Sequence, residues 1–424
     1  LASAGGLLRI YFLLCPLLLA AETTLKFWRI AYTTQDEVAV VAQTQGEGTL
    51  SLELFETNRG ASTTQAQSDG QSPVVLKIGG LTPNTHYRLT LRDEDGNTID
   101  ERSTATAPLP RTDDTIKMVF AGEIPTLDDQ SSLALFSAAT QVSEPDLVCW
   151  LGNGLSSDGL RWTSGSAYRN AALAFAQTEA LSLLGKAYPQ LHVFSPTDYG
   201  PLGSSRHWSG RTIALQSYRD FWPAPLQPFP EVPGIYQMRY GDVEFFALDP
   251  LSQRDGFETP AARATVFSRE QLDWLVNALA TSDATFKLIL SPMSLLHPRS
   301  DEASLAHYKR AKEDFHRALR EPPTEGILIV SASDGPGELT RSVRPDGYPL
   351  FELSVRHLIH LSELPKMYPE DNYFRVPGTL VREPHYTSLT ASGELNSRQL
   401  TINFHRLDSS VIRSESVSGR DLRD

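Results

Sequence analysis

The most constraining feature of this chain is a change of hydrophobic rhythm at a proline-bearing junction, Ala107 to Arg111 (APLPR). Before it, WRIAY, EVAVVAQT, TLSLELFE, SPVVLKI and YRLTLRDEDG are short alternating stretches separated by Gly, Ser, Asn and Asp. Period-two patterning at that spacing predicts the strands of a β-sandwich over residues 25–108. After it, apolar strand segments alternate with helical ones. Ile116 to Ala121, Asp146 to Gly152, Leu191 to Pro196, Phe286 to Ser291 and Gly326 to Ser331 read as strands, with a hairpin from Ile235 to Pro250 around Tyr240-Gly241-Asp242. Ser131 to Val142, Ser166 to Tyr188, Ser268 to Ser282 and Asp301 to Arg320 read as helices. Ser268 and Gln271 have the spacing of a capping box for the third. Residues 114–424 are thus expected to form a layered α/β body, a β-sandwich flanked by helices. A last strand is expected from Arg398 to Leu407, followed by a polar tail after Ser409.

The run Leu81-Thr82-Pro83-Asn84-Thr85-His86-Tyr87 has the L-x-P-x-T-x-Y form of fibronectin type III domains, whose tyrosine hydroxyl bonds backbone at a strand corner. Such modules serve as spacers, docking faces or adhesion units, so a protein partner through this domain is one expectation.

Charge and cysteine narrow the function classes. The formal charge of −13 is far from the basic balance that phosphate-backbone binding needs, which excludes nucleic acid as a partner. Only Cys15 and Cys149 are present, so neither a disulfide scaffold nor a zinc ribbon fits. Residues 1–21 resemble an export signal: Arg9 precedes the apolar Ile10 to Leu19, and Ala20-Ala21 are small enough for cleavage. The apolar run is short for a bilayer span, so the mature chain is expected to be periplasmic or extracellular without a membrane segment; an uncleaved anchor is the alternative.

In layered α/β folds the reacting groups lie just beyond the carboxyl ends of strands. Here those positions are Glu123, Asn153, Ser195-Pro196-Thr197-Asp198, Asp249, Ser291 with His297, and Ser333-Asp334-Gly335. No nucleophile elbow, P-loop or complete G-x-G-x-x-G occurs. His357 and His360 lie in LSVRHLIHL, where packing explains them better than metal binding.

From residue 114 to about 422 the motifs resemble, in order, those of the alkaline phosphatase D family of secreted metallophosphatases, some members of which carry a fibronectin-like N-terminal domain. Pro145-Asp146 with Trp150-Leu151-Gly152 resembles its P-D…L-G-D strand end, and Arg161-Trp162-Thr163-Ser164…Tyr168-Arg169 its W-T-S…Y-R helix entry. Phe194 to Gly200 falls where W-D-D-H-D-Y-G belongs, and Tyr240 to Asp249 resembles its G-D-v-x-F-F-x-L-D hairpin. Gln271 to Leu275 is similar to Q-x-x-W-L, Phe286-Lys287 to an F-K strand start, and Arg375-Val376-Pro377-Gly378-Thr379 to R-V-P-G-T. Ser331 to Leu339 sits where S/T-G-D-R-H-x-x-E-L belongs.

The resemblance implies a binuclear metal centre, with ions such as calcium or iron, whose cations clamp phosphate and activate a water-derived nucleophile. The positions that would hold it are altered. Asn153 stands for the aspartate of L-G-D; Ser195, Pro196 and Thr197 stand for the D-D-H; Ser333, Asp334 and Gly335 stand for the D-R-H; and Ala121-Gly122-Glu123 replaces G-S-C. An amide carries no charge to bridge two cations, proline and glycine offer no side-chain donor, and neutral hydroxyls are poor ligands. The expectation is therefore no cofactor, and an exported homologue that no longer cleaves phosphoesters and acts as a binding or interaction protein. Asn153, Ser195, Thr197 and Ser333, with Arg169, Arg206 or Arg211 at the rim, would hold a small anionic or carbohydrate ligand. The alternative is an active alkaline phosphatase or phosphodiesterase with ligands relocated to Glu123, Asp198, Asp249, Asp334 and a histidine such as His297 or His207. A third reading gives the biology to the N-terminal sandwich as an adhesion module.

Overall fold

The structure, a computed structural model, describes residues 24–122, 140, 144–152, 164–201, 203–256, 258–299, 304–320, 324–333, 335–343, 349–356, 372–406 and 408–422. The helix expected from Ser131 to Val142 lies almost wholly outside these residues, as do His357, His360, Cys15 and the leader.

The first seven strands form two sheets. β1 (Leu25–Thr33), β2 (Glu37–Thr44) and β5 (Val74–Gly79) make one; β3 (Gly48–Glu56), β4 (Gly60–Ser68), β6 (His86–Arg92) and β7 (Thr98–Ala105) make the other, in the order β4-β3-β6-β7. β3 alternates strictly, burying Leu50, Leu52 and Leu54 while the residues between them face outward. β1 and β2 do not alternate, because both of their faces are covered. Trp28, Ile30, Val38 and Val40 fill the sandwich core, whereas Phe27, Ala31, Ala39 and Val41 join the core of the second body. At the strand corner the Tyr87 hydroxyl accepts from Thr82 N–H at 2.8 Å, which is the tie that the L-x-P-x-T-x-Y run predicts.

The second body stacks two six-stranded sheets. One runs β10 (Gln190–His192), β9 (Leu147–Trp150), β8 (Ile116–Ala121), β17 (Tyr386–Ser392), β18 (Gln399–His405), β19 (Val411–Ser418). The other runs β11 (Tyr236–Tyr240), β12 (Val243–Ala247), β13 (Phe286–Ser291), β14 (Ile327–Ser333), β16 (Pro349–Arg356), β15 (Glu338–Val343). β12, β13, β14 and β16 are parallel, and so are β8, β9 and β10, so their carboxyl ends point one way within each sheet. Phe245, Leu288, Leu290, Leu328 and Val330 face inward to Met118, Phe120, Leu389 and Ile402. The intervening Phe246, Ile289 and Ile329 lie under helices α5 (Arg269–Thr281) and α6 (Lys309–Ala318), which is why these strands are continuously apolar.

Several expected elements have different limits. The long helix over 166–188 is two, α1 (Gly165–Ala176) and α2 (Glu179–Ala187), because Thr178 leaves helical geometry at ψ 146° and starts a new N-terminus with Glu179 in its first turn. The strand at Leu191 stops at His192, since Ser195 and Pro196 open the one-turn helix α3 (Pro196–Tyr199). Helix α4 (Arg211–Phe221), absent from the sequence reading, packs against α1. The helix placed at 301–320 begins at Lys309, after a single 3₁₀ turn from Leu305 to His307. The polar tail is the edge strand β19, whose residues are nearly all at least partly exposed and so give little hydrophobic signal. At the capping box, Ser268 accepts from Gln271 N–H, but the Gln271 amide is used elsewhere: its oxygen accepts from Asp249 N–H at 2.9 Å and its nitrogen donates to Asp249 C=O at 3.0 Å.

Candidate functional site at the strand ends

Glycines let the strand ends close on one another. A Cβ on Gly152, which follows β9, would lie 3.1 Å from Ser195 Cβ and 3.5 Å from Gly122 C=O, and its φ of +147° already disfavours side chains. A Cβ on Gly122, just after β8, would meet Arg356 C=O at 2.7 Å. Arg356 ends β16 and pairs in register with Ser333 at the end of β14. The ends of β8, β9, β14 and β16, together with the segment after β10, therefore meet at one end of the stacked sheets. Ser195, Thr197, Ser333 and Gly335 are brought to it; Glu123, Asn153 and Asp334 follow Gly122, Gly152 and Ser333 in the chain and lie outside the described residues.

Among the described residues at this point, the acid Asp198 serves its own helix. Asp198 Oδ2 accepts from Ser195 N–H at 3.0 Å and from Ser195 Oγ–H at 2.6 Å, and Ser195 Oγ is also 3.2 Å from Thr197 Oγ1. Pro196, at the first helical position, contributes only backbone geometry. Ser333 Oγ accepts from Gly335 N–H at 3.0 Å, closing a turn. Behind Asp198, His192 Nε2 is 3.7 Å from Oδ2, beyond hydrogen-bond length. Burial, reinforced by Arg29, pushes the His192 imidazole well below its ordinary pKa and leaves it neutral.

Asp249 is also turned inward. It is fully buried, and its carboxylate accepts from Leu251 N–H, Ser252 N–H and Ser252 Oγ–H at 2.9, 2.8 and 2.5 Å. Burial raises this carboxyl above the usual range despite those bonds. Its role is to fold the loop after β12.

His297 belongs to a separate cluster at β15. Its Nδ1 accepts from Arg299 N–H at 3.0 Å and its Nε2 donates to Glu338 Oε1 at 3.0 Å, so both ring nitrogens are engaged. Glu338 also accepts from Asn372 and Arg375. Burial alone would raise the Glu338 carboxyl, but the hydrogen bonds from His297, Arg375 and Asn372 outweigh it and hold it below the ordinary carboxylate range. The turn carrying His297 is shaped by Glu352, buried on β16, which accepts from Leu295, Leu296 and His297 N–H at 2.7–2.9 Å and from Ser294 Oγ–H at 3.0 Å.

The expected rim arginines are largely committed. Arg206 pairs with Asp255 at 2.7 Å and Arg211 donates to Ser252 C=O at 3.2 Å. Arg169, on α1, lies on the side of the sandwich domain, near Asp69, whose carboxyl is lowered first by the N–H groups of Ser72 and Gln71, and Asp220, whose carboxyl is raised by burial against the pull of Arg219 and Arg169. His207 bonds its neighbour Arg206.

Arg29 and Glu352 were given no role from the sequence, and Glu338 entered only as part of the E-L pair of a motif. Arg29 and Glu352 were visible as lone charges within apolar stretches (WRIAY, LFELS), a pattern that requires a buried partner. Arg29 reaches from β1 into the second body, where its guanidinium is buried, stacks on Trp222 and donates to Phe221 C=O.

No protein-family model and no curated protein matches the chain. Solved structures do. PhoD superposes at a TM-score of 0.71 with 13% identity, over 93% of this chain and 88% of that one. The purple acid phosphatase PPD1 from seeds of yellow lupin (Lupinus luteus) superposes at 0.68 with 16% identity, over 94% and 76%.

The fold is that of a PhoD-like metallophosphatase.

A metallophosphatase fold implies paired metal ions at the converged strand ends, and the donors described there do not suit them. Ser195, Thr197 and Ser333 supply un-ionised hydroxyls, Pro196 and Gly335 supply no side-chain donor, and Asp198 is held on Ser195. In a PhoD-like frame this set is suited to neutral hydrogen bonding rather than to charge compensation.

Proposed function

We propose that this chain is an exported phosphatase homologue that has lost metal-dependent phosphoester hydrolysis, and that its strand-end cleft binds a small anionic or carbohydrate ligand without cleaving it. The observation that carries the reading is the use of Asp198: among the described residues at the strand ends, this acid is satisfied by the backbone and hydroxyl of Ser195, which occupies a position where the family motif has an acid. A carboxylate committed in this way holds a helix start in place and contributes little potential toward the cleft. Hydroxyls that donate and accept without charge fit sugar hydroxyls and the oxygens of a small anion. The leader-like residues 1–21 support export to the periplasm or beyond.

The test is elemental analysis of the purified chain beside hydrolysis of chromogenic phosphomonoesters and phosphodiesters, with and without chelator. The expected result is substoichiometric metal and no chelator-sensitive turnover. Two equivalents of metal with turnover abolished by chelator would overturn the reading and establish relocated ligands. Asn153→Asp combined with Ser333→Asp should raise metal uptake if the ancestral spacing persists.

A further inference from the structure

We propose that the groove between α6 and the end of edge strand β15 binds a linear polyanion, a chain bearing phosphate or sulfate groups. This site is separate from the strand-end cleft and does not rest on its reading. The groove encloses roughly 660 Å³ and is lined by Lys309, Lys312, His316 and Arg320 on one side and Val343, the last residue of β15, on the other. Lys309, Lys312 and His316, separated by three and four residues, share one face of α6 as a stripe about 10 Å long at 1.5 Å per residue, and Arg320, in the turn just after the helix, adds a fourth basic side chain to the same wall.

The stripe is unusual in this molecule. The chain has a net charge of −13, and its surface arginines are commonly paired: Arg310 and Arg317 with Asp314, Arg406 with Glu383, Arg413 with Glu415. Lys309, Lys312 and Arg320 have no ion-pair partner among the described residues, and Glu313 is the lone acid on the groove wall. The unneutralised field has a local effect, since burial, Lys312 and Arg320 together lower the His316 pKa. Cations kept in a row at a cost in mutual repulsion are explained by a ligand that supplies the missing charge. Concavity selects the kind of ligand. A bilayer is flat and would reach only the rim, whereas a flexible chain can lie along the floor and place successive anionic groups against successive helical turns.

The test uses the full chain with length-defined polyphosphate and dextran sulfate, read by fluorescence anisotropy across a salt series. Binding should weaken steeply with salt, because a chain polyanion releases condensed counterions. Lys312→Gln combined with Arg320→Gln should weaken binding at least tenfold and make the slope of log affinity against log salt shallower by about two. The charge-retaining pair Lys312→Arg and Arg320→Lys should preserve affinity, and Arg59→Gln with Lys77→Gln, in the sandwich, should leave it unchanged. Equal binding by the glutamine pair, absence of salt-dependent binding, or binding to vesicles containing anionic lipid but not to free chains would each overturn the proposal.

Discussion

The guanidinium carbon of Arg29 lies 3.8 Å from the ring centroid of Trp222. Trp222 also stacks on His192 with centroids 4.2 Å apart, and His192 adjoins Asp198 at the start of α3. A residue of the sandwich is thereby linked by contact to the helix that presents Ser195 and Thr197.

Shortening Arg29 should loosen this link. Arg29→Ala removes a desolvated cation–π contact and the bond to Phe221 C=O, and should destabilise the chain by about 3 kcal/mol. Arg29→Lys keeps a charge without the planar stack and should recover less than half of that loss. Urea midpoints followed by tryptophan fluorescence provide the measurement. An unchanged midpoint for the alanine variant would show that the stack contributes nothing.

Glu352 should be among the costliest polar residues to lose. Glu352→Ala strands three backbone N–H groups and the Ser294 hydroxyl, each costing about 1–3 kcal/mol when buried and unpaired. A loss of several kcal/mol is expected, with Glu352→Gln milder because its amide oxygen still accepts at the place of Oε2, while its NH2 leaves Leu295 N–H unpaired. Equilibrium denaturation of both variants decides the matter; equal losses would mean that one acceptor oxygen is not enough to hold the turn.

Acid should destabilise the molecule through His385. This imidazole is fully buried and its pKa is lowered to about 4, first by burial, with Arg356 and His405 adding to it. The unfolded chain takes up a proton near pH 6.5 while the folded one does not, so stability is highest above that value and falls as pH drops toward 4. The contribution lost is of order 3 kcal/mol at the acid end. His385→Asn, which retains a donor for Glu383 C=O, should flatten the decline of urea midpoints between pH 6.5 and 4. An identical acid profile in the variant would assign the decline to other groups.

Gly122 should resist substitution. Gly122→Ala drives a methyl to 2.7 Å from Arg356 C=O, against backbone that has little freedom to move, and should cost about 1–3 kcal/mol and splay the strand ends. Gly46→Ala, in open space, is the control. Matching stabilities for the two variants would mean that β8 and β16 separate without penalty.

Much of the architecture is legible in the chain because burial leaves a mark on composition. Runs such as FKLILS and ILIVS are mostly apolar and buried at every position since both faces of β13 and β14 are covered, and the alternation of Leu50, Leu52 and Leu54 is that of a sheet with one face in water. Limits were harder to read where a side chain outcompeted local preference. Gln271 leaves its capping role for the more buried backbone of Asp249, whereas at Thr178 it is the extended backbone, with no side-chain cap, that divides a helix periodicity alone would continue. The converged positions Ser195 and Ser333 followed from motif order, but the inward orientation of Asp198 and Asp249 did not. Whether a carboxylate faces a cleft or folds its own loop depends on neighbours two or three residues away, in this case Ser195 and Ser252.

The sheet of β1 and β2, covered on both sides, bears on how the protein is inherited and handled. A module that exposes apolar area when cut free is poorly suited to being shuffled alone between genes, and residues 24–106 expressed by themselves would present Phe27, Ala31, Ala39 and Val41 to solvent and tend to precipitate. The sandwich and the larger body are therefore expected to unfold together in one cooperative transition.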